Sequence, residues 1–388
     1  MAKPPRRSLG WSNPAVRNIV WQVLILAVIG GVGWFLVHNT IANLNARHIT
    51  TGFGFLADPA PIEIAERMID YEAGKSTYLR ALVVGLLNTL KVSIVGIVLC
   101  TIIGTAVGIM RLSPNWLLNK LAAVYVEFLR DTPPLLQLLF WFSLLQVLPV
   151  PRQAIWMGPV VLSNRGIKFP TLHWDPAFGW AILAFFVALL ASFLLGRRAA
   201  GIQARTGKRP RTWPWTLLLL IALPVITWAA LGAPWSVDAP VLRGFNFIGG
   251  LTITPEYTAL TLGLTIYTSA YVAEVVRSGI LSVAQGQWEA AAALGLTRGQ
   301  TLRQVVLPQS LRVIIPPLTS DYLNLTKNSS LAVAIGFREL VDIAEASLNQ
   351  TGQAIENIAI VMAVFLIISL AISMLMNWYN ARIALKER

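Results

Sequence analysis

The chain has 388 residues, of which 55% are hydrophobic and only 13% are charged. A soluble domain of this length needs about a quarter of its residues charged, so the composition excludes an ordinary water-soluble protein and indicates that lipid covers much of the chain. The net charge of +13 is confined to short tracts between apolar runs. This pattern is typical of charges that fix membrane orientation, and it argues against nucleic-acid binding.

Eight apolar stretches are candidates for membrane spans, since a helix that crosses a bilayer needs about 20 apolar residues. Six of them carry no internal charge: 19–37, 92–110, 132–151, 177–195, 213–233 and 357–380. Two more contain or meet charged residues: 257–273, followed by Glu274 and Arg277, and 313–335, with Asp321 and Lys327. We therefore predict an all-α polytopic membrane protein with about eight transmembrane helices.

The first apolar stretch follows a basic N-terminus, as it would in a secretory signal peptide. It is long for that role, and residues 43–46 make a poor cleavage site, so we predict a retained span. Basic residues then concentrate in every second loop, with six between 197 and 211 and no acid among them. Because cytoplasmic loops are enriched in Lys and Arg, both termini are predicted to be cytoplasmic.

The sequence offers no catalytic or metal-binding constellation. Cys100 is the single cysteine, and His38, His48 and His173 are widely separated. A phosphate-binding loop of the type G-x-x-x-x-G-K-[ST] is missing, so we predict no catalytic residues, no metal and no cofactor bound by this chain.

Two prolines interrupt the chain near the third apolar stretch. Pro133 and Pro134 predict that a helix stops and another begins there. Glu127 and Arg130 then lie three residues apart on the preceding helix, close enough to pair. We interpret that helix as a structural elbow on the cytoplasmic side.

A distinctive segment, 286–308, follows the sixth span. Residues 287–294 are strong helix formers, and Gly295 stands where a helix C-cap is expected. Thr297 and Gln300 have the spacing of a capping box that opens a second short helix before Pro308. The pattern predicts a helix-turn-helix outside the membrane that docks in a groove of another protein. An ordinary linker helix is the alternative.

This segment resembles the EAA motif of ABC importer permeases. The motif reads E-A-A, three residues, G, nine residues, I, one residue, L-P, and Val305 replaces its isoleucine. The matching residues are Glu289, Ala290, Ala291, Gly295, Leu307 and Pro308. The resemblance implies that Glu289 makes a polar contact with an ATPase subunit, that Ala290 and Ala291 allow close approach, and that Gly295 makes the turn.

The resemblance extends over residues 80–380 and is to the polar amino acid permease (histidine/glutamine-type) family. It is carried by further segments at 88–90, 126–134, 270–279, 285–287 and 327–331. It implies a type I ABC importer permease fold with an added N-terminal span and a two-span insertion, as in the Q-type subunit of general L-amino-acid permeases. We divide the chain into 1–79 (N-terminus, first span and periplasmic segment), the permease domain 80–380 with the inserted region 151–255, and the tail 381–388.

The resemblance also implies the partners and the location of the chain. The expected partners are two copies of an ABC ATPase subunit that binds ATP and Mg²⁺, a related M-type permease subunit, and a periplasmic amino-acid-binding protein. The expected function is the membrane-spanning permease of an ATP-driven amino acid importer in the bacterial inner membrane. A stand-alone ion-coupled secondary transporter is the alternative, but it predicts two similar halves, and we find no repeat.

Polar residues in the seventh span are candidates for a substrate pathway, because charged groups within spans are costly and face cavities or partners. Asp321, Asn324 and Asn328 fall at i, i+3 and i+7 on one helical face. Lys327, Ser330 and Glu274 complete the candidate set. An amino acid carries both an ammonium and a carboxylate, which suits such a set. A subunit interface or internal ion pair fits equally well, and for Glu274 with Arg277 a structural pair is favoured.

Overall fold

The computed structural model describes residues 14–46, 51–208 and 210–383. The basic tract predicted around Arg6 and Arg7, the basic residue Arg209 and tail residues 384–388 lie outside these ranges. The helices in chain order are α1 (Pro14–Ala46), α2 (Tyr78–Met110), α3 (Trp116–Asp131), α4 (Pro134–Gln146), α5 (Pro176–Thr206), α6 (Trp213–Ala230), α7 (Pro255–Leu281), α8 (Gln285–Ala293), α9 (Arg298–Thr301), α10 (Leu307–Asn328), α11 (Leu340–Thr351) and α12 (Ala354–Ile383).

The predicted polytopic helical fold is confirmed. Six of the described helices, α1, α2, α5, α6, α7 and α12, are long and apolar enough to cross a membrane. Two predicted spans take another form. The third is the 13-residue apolar helix α4, and the seventh lies in α10, which is 22 residues long but carries Asp321 and Lys327.

Helix α3, which the sequence analysis interpreted as a structural elbow, packs against α7. Its buried Val126 and Leu129 pack against Ala270 and Ala273 of α7. Among the described residues, Glu127 and Arg130 do not form the ion pair that their spacing allows. The break between α3 and α4 falls where the prolines predict it, since α4 begins at Pro134.

The chain forms two compact units, Met1–Gln137 with Leu260–Arg388, and Leu138–Ala259. In the first unit, α2 approaches α7 closely because glycines face it. A Cβ on Gly104 would lie 2.6 Å from Val272, and one on Gly108 would lie 2.7 Å from the Ala273 carbonyl oxygen. Small residues allow membrane helices to pack by close van der Waals contact. The hydroxyls of Thr101 and Tyr322 lie 2.8 Å apart and link α2 to α10.

In the first unit, the segment 52–77 packs on α2 and α11. Tyr71 holds the segment in shape, since its buried hydroxyl donates to the carbonyls of Ala60 and Ile62 at 3.0 and 2.9 Å. Burial raises the pKa of this tyrosine. The Asn88 amide of α2 donates to the carbonyls of Glu66 and Arg338, both at 2.9 Å, and so ties the segment to the start of α11.

Glu339 caps α11 from a fully buried position. Its carboxylate accepts from the amides of Val341 and Asp342 at 2.8 and 2.9 Å, satisfying donors at the helix N-terminus. A second oxygen accepts from the Thr89 hydroxyl of α2 at 3.2 Å. Burial disfavours the charged form of this carboxyl group and raises the pKa of Glu339 to about 7.

The second unit contains the predicted insertion and adds small sheets that the sequence analysis did not predict. The strands are β1 (Ile155–Met157), β2 (Val160–Ser163), β3 (Gly166–Phe169), β4 (Thr171–Leu172), β5 (Val237–Asp238), β6 (Val241–Arg243), β7 (Asn246–Ile248) and β8 (Leu251–Ile253). They pair antiparallel as β1-β2-β3-β8, β4-β5 and β6-β7. The two spans α5 and α6 of the same unit pack on each other. Asp175 and Pro176 start α5, where the Asp175 carboxylate accepts from the Ala177 amide at 2.8 Å.

Candidate functional site

The segment between α7 and α10, which we call the docking loop (285–308), folds as two short helices with a defined turn. Helix α8 ends in a Schellman motif, in which the Leu296 amide donates to the Ala291 carbonyl at 3.1 Å and the Gly295 amide donates to the Ala292 carbonyl at 2.9 Å. Gly295 has φ 72°, a left-handed conformation that strains any residue with a Cβ. The predicted C-cap is therefore present, and the left-handed backbone conformation explains why glycine occupies position 295.

The second short helix also starts as predicted. Thr297 and Gln300 form a capping box, with the Thr297 amide donating to the Gln300 side-chain oxygen at 2.8 Å. A π-helical turn, Leu302–Val306, then joins α9 to α10. The sequence analysis did not predict this turn. Pro308 was its signal, because a proline has no N–H to donate to the carbonyl four residues earlier, and the α-helical ladder cannot continue unbroken.

The docking loop presents a small-residue surface. Glu289, Ala290 and Ala293 are exposed along α8, and Leu294 at its end is 81% exposed. Ala291, in contrast, is buried against its own chain with 2% exposure. Of the two alanines expected to allow close approach of a partner, Ala290 is therefore exposed and Ala291 packs against its own chain. Leu307 and Pro308 lie in the first turn of α10.

A second feature, the polar pocket, is a cavity of about 240 Å³ between α7 and α10. Its lining residues are Tyr267, Thr268, Tyr271, Asp321, Asn324 and Asn328. The hydroxyls of the two tyrosines lie 3.1 Å apart. One carboxylate oxygen of Asp321 is buried and has no hydrogen-bond partner in the described part of the chain. The helical face expected from the spacing of Asp321, Asn324 and Asn328 thus meets a tyrosine stripe on α7.

The other three candidate pathway residues do not line the polar pocket. Lys327 is exposed, and Ser330 donates to the Lys327 carbonyl at 2.8 Å. Helix geometry already excludes Lys327 from the pocket face, because six residues at about 100° each place it about 120° away from Asp321. Glu274 forms ion pairs with Arg277, at 2.9 Å, and with Arg111 at the end of α2. The structural pairing of Glu274 with Arg277 is therefore confirmed.

Arg130, which the sequence analysis considered only as a partner for Glu127, lies beside the polar pocket. Its guanidinium carbon lies 5.2 Å from the centre of the Tyr271 ring, a cation–π contact with a pocket-lining residue. In the described residues Arg130 has no ion-pair partner. The position of α3 against α7 therefore places a positive charge next to Tyr271, whereas Lys327 lies outside the polar pocket.

The chain is similar to known transport proteins over almost its whole length. Residues 210–386, which include the docking loop and α10, match the family described as "Binding-protein-dependent transport system inner membrane component". The chain is 52% identical over 385 residues to the putative amino-acid ABC transporter permease protein YhdX of Escherichia coli (strain K12), covering 98% of each protein. It is 46% identical over 393 residues to the general L-amino acid transport system permease protein AapQ of Rhizobium johnstonii, covering 99% of this chain and 98% of the relative.

A further relative is the glutamate/glutamine/aspartate/asparagine transport system permease protein BztB of Rhodobacter capsulatus. It is 40% identical over 407 residues, covering 96% of this chain and 95% of the relative. These full-length similarities confirm the resemblance that the docking-loop residues indicated. The chain belongs to the family of amino-acid permease subunits of ABC transporters.

Proposed function

We propose that this chain is the membrane-spanning subunit of an importer in which ATP hydrolysis by a partner drives the uptake of amino acids. The observation that carries the proposal is the direct connection between the docking loop and the polar pocket. Helix α10 begins at Leu307, immediately after the docking loop, and carries Asp321 about 21 Å further along at 1.5 Å per residue. A displacement of the docking loop therefore moves one wall of the polar pocket.

The partners follow from this arrangement and from the family. An ABC ATPase, in two copies, binds ATP and Mg²⁺ and contacts Glu289, Ala290 and Ala293. This chain binds no nucleotide and catalyses no reaction, in keeping with a sequence that lacks a phosphate-binding loop. A related M-type permease subunit forms the other half of the pathway, and a periplasmic binding protein delivers the amino acid.

The proposed setting is the bacterial inner membrane, with the docking loop and both termini in the cytoplasm. The basic residues of α5 and its following loop, and the arginines of the docking loop, support this orientation, because cytoplasmic loops are enriched in Lys and Arg. ATP is available in the cytoplasm, so an ATPase must bind a docking loop on that side of the membrane.

The polar pocket lies on the route of the amino acid. Asp321 offers a carboxylate oxygen without a partner to the substrate ammonium, and the tyrosine hydroxyls and amides of Asn324 and Asn328 offer hydrogen bonds. Arg130 supplies positive charge beside Tyr271 for the substrate carboxylate. A volume of about 240 Å³ suits a small solute, since it lies just below the range of about 300–1,000 Å³ found for pockets that hold drug-sized ligands.

Reconstitution tests this function against the alternative of an ion-coupled secondary transporter. The chain, its partner permease, the ATPase and the binding protein are placed in proteoliposomes, and uptake of radiolabelled amino acids is measured with ATP on the ATPase side. We expect uptake that requires both ATP and the ATPase. Uptake that persists in vesicles without the ATPase, driven by an ion gradient, would overturn the proposal.

A further inference from the structure

A larger cavity, of about 1080 Å³, lies where α2 and α7 end beside the docking loop. Its walls are mainly apolar and include four large side chains that are exposed in the isolated chain: Ile109 (55%), Leu281 (59%), Leu302 (38%) and Leu307 (46%). The half-buried indole of Trp288 adds an aromatic wall. Water solvates such a surface poorly, so another molecule is expected to cover it.

The position of this cavity is at the edge of the hydrocarbon region. Ile109 is the penultimate residue of α2 and Leu281 is the last residue of α7, and both helices are candidate spans. Lipid acyl chains can therefore reach one side of the cavity, and the docking loop on the other side faces water.

The cavity-lining side of α8 differs from the side that carries the alanines proposed to contact the ATPase. Trp288 lines the cavity, whereas Ala290 and Ala293 are exposed. At about 100° per residue, these alanines lie about 140–160° around the helix from Trp288. An ATPase bound to the exposed alanines leaves the cavity open towards the membrane.

Two arginine side chains also line the cavity, beside its apolar residues. Arg298 and Arg303 both line the cavity, both are exposed, and neither makes an ion pair within the described ranges. Apolar walls with unpaired arginines at a membrane boundary match one class of ligand, an amphiphile with hydrocarbon chains and an anionic head group.

We propose that this cavity binds an anionic phospholipid of the cytoplasmic leaflet. The acyl chains lie along Ile109, Leu281 and Leu302, and the phosphate is bound by Arg298 and Arg303. The proposal uses the cytoplasmic position of the docking loop from the proposed function, but it does not depend on which solute is transported. A lipid bound there holds α8, α9 and the π-helical turn against the ends of α2 and α7.

Quenching of Trp288 fluorescence tests the proposal in the assembled transporter. The complex of this chain with its permease and ATPase partners is placed in nanodiscs that contain phosphatidylethanolamine and either brominated phosphatidylglycerol or brominated phosphatidylethanolamine. Bromine on the acyl chains quenches tryptophans in contact with them, and the difference between wild type and Trp288→Phe isolates the signal of Trp288. We expect quenching of Trp288 at a much lower fraction of the brominated anionic lipid than of the brominated zwitterionic lipid.

The arginines give the second arm of the test. Each contributes about fivefold to the preference for an anionic lipid, so Arg298→Gln with Arg303→Gln should lower that preference about 25-fold. The matched control is Arg197→Gln with Arg198→Gln, which removes the same charge from α5, outside the cavity, and should leave the preference unchanged.

Three results would overturn the proposal. Equal quenching of Trp288 by the two lipids means that acyl chains enter without recognition of the head group. Absence of Trp288-dependent quenching in the assembled complex means that a protein covers the cavity. An equal loss of preference in the control double variant means that general surface charge is responsible. If the Arg298 and Arg303 variant fails to assemble, the wild-type comparison of the two brominated lipids still decides.

Discussion

Replacement of Gly295 by alanine should weaken binding of the ATPase without disturbing the membrane-embedded helices. Gly295 has φ 72°, and no atom lies within 4 Å of the position that a Cβ would take. The effect of the substitution is therefore backbone strain and not a clash. A left-handed conformation costs an L-residue about 1–2 kcal/mol, which corresponds to about a 5- to 30-fold loss of the docking-competent turn and of affinity for the ATPase.

Two matched variants separate the turn from other effects. Asparagine tolerates the left-handed conformation, so Gly295→Asn should bind the ATPase more tightly than Gly295→Ala. Gly286 lies in α8, the helix that the Gly295 turn terminates. It does not have a positive φ and also has open space around it, so Gly286→Ala should leave binding unchanged. The assay is the equilibrium affinity of the purified ATPase for the detergent-solubilised permease. Equal affinities for all three variants would refute the argument that the Gly295 turn presents the docking surface.

Three further predictions concern the polar pocket and the carboxylates of Glu274 and Glu339. Asp321→Asn should reduce reconstituted uptake by at least about tenfold, because a charged hydrogen bond to the substrate contributes about 1.5–3 kcal/mol. The affinity of this variant for the ATPase should stay at the wild-type value. Unchanged uptake would remove Asp321 from the pathway. Glu274→Gln leaves the partly buried Arg111, whose side chain is 14% exposed, without its carboxylate partner. This change should lower stability in detergent by roughly 2 kcal/mol, measured by denaturant unfolding, since leaving a partly buried charge unpaired is destabilising. Because the pKa of Glu339 is raised in the folded protein to about 7, its stabilising contribution is complete below pH 4.5 and is lost as the pH rises to about 7; Glu339→Gln should remove this part of the pH dependence of the melting temperature, and an identical profile for both proteins would contradict it.

Features that depend on neighbouring residues could be predicted from the sequence. The two caps of the docking loop are an example, since the Schellman motif at Gly295 and the capping box at Thr297 close through hydrogen bonds within five residues of each other. The apolar runs likewise predict α1, α2, α5, α6 and α12, because a helix of sufficient length satisfies all its backbone groups within its own segment.

Features that depend on how helices face each other could not be predicted in this way. Arg130 directly follows the buried Leu129 of α3 in the sequence. Only the packing of α3 on α7 brings Arg130 to Tyr271. Arg111 and Glu274 are 163 residues apart, and the glycine contacts between α2 and α7 bring them together. Two of the three short sheets in the second unit contain a pairing between strands on either side of the α5–α6 hairpin.

The sequence by itself therefore determined that the chain lies in a membrane and has two short capped helices after α7, because hydropathy and local capping are properties of contiguous residues. The resemblance of that segment to the EAA motif indicated the ABC permease family. Only the tertiary structure decided which polar groups share a pocket. It placed Asp321 with the tyrosines of α7, left Lys327 outside, and engaged Glu274 in ion pairs. The physical reason is that a helix presents residues all around its axis, and which of them meet a neighbour depends on the position and rotation of that neighbour.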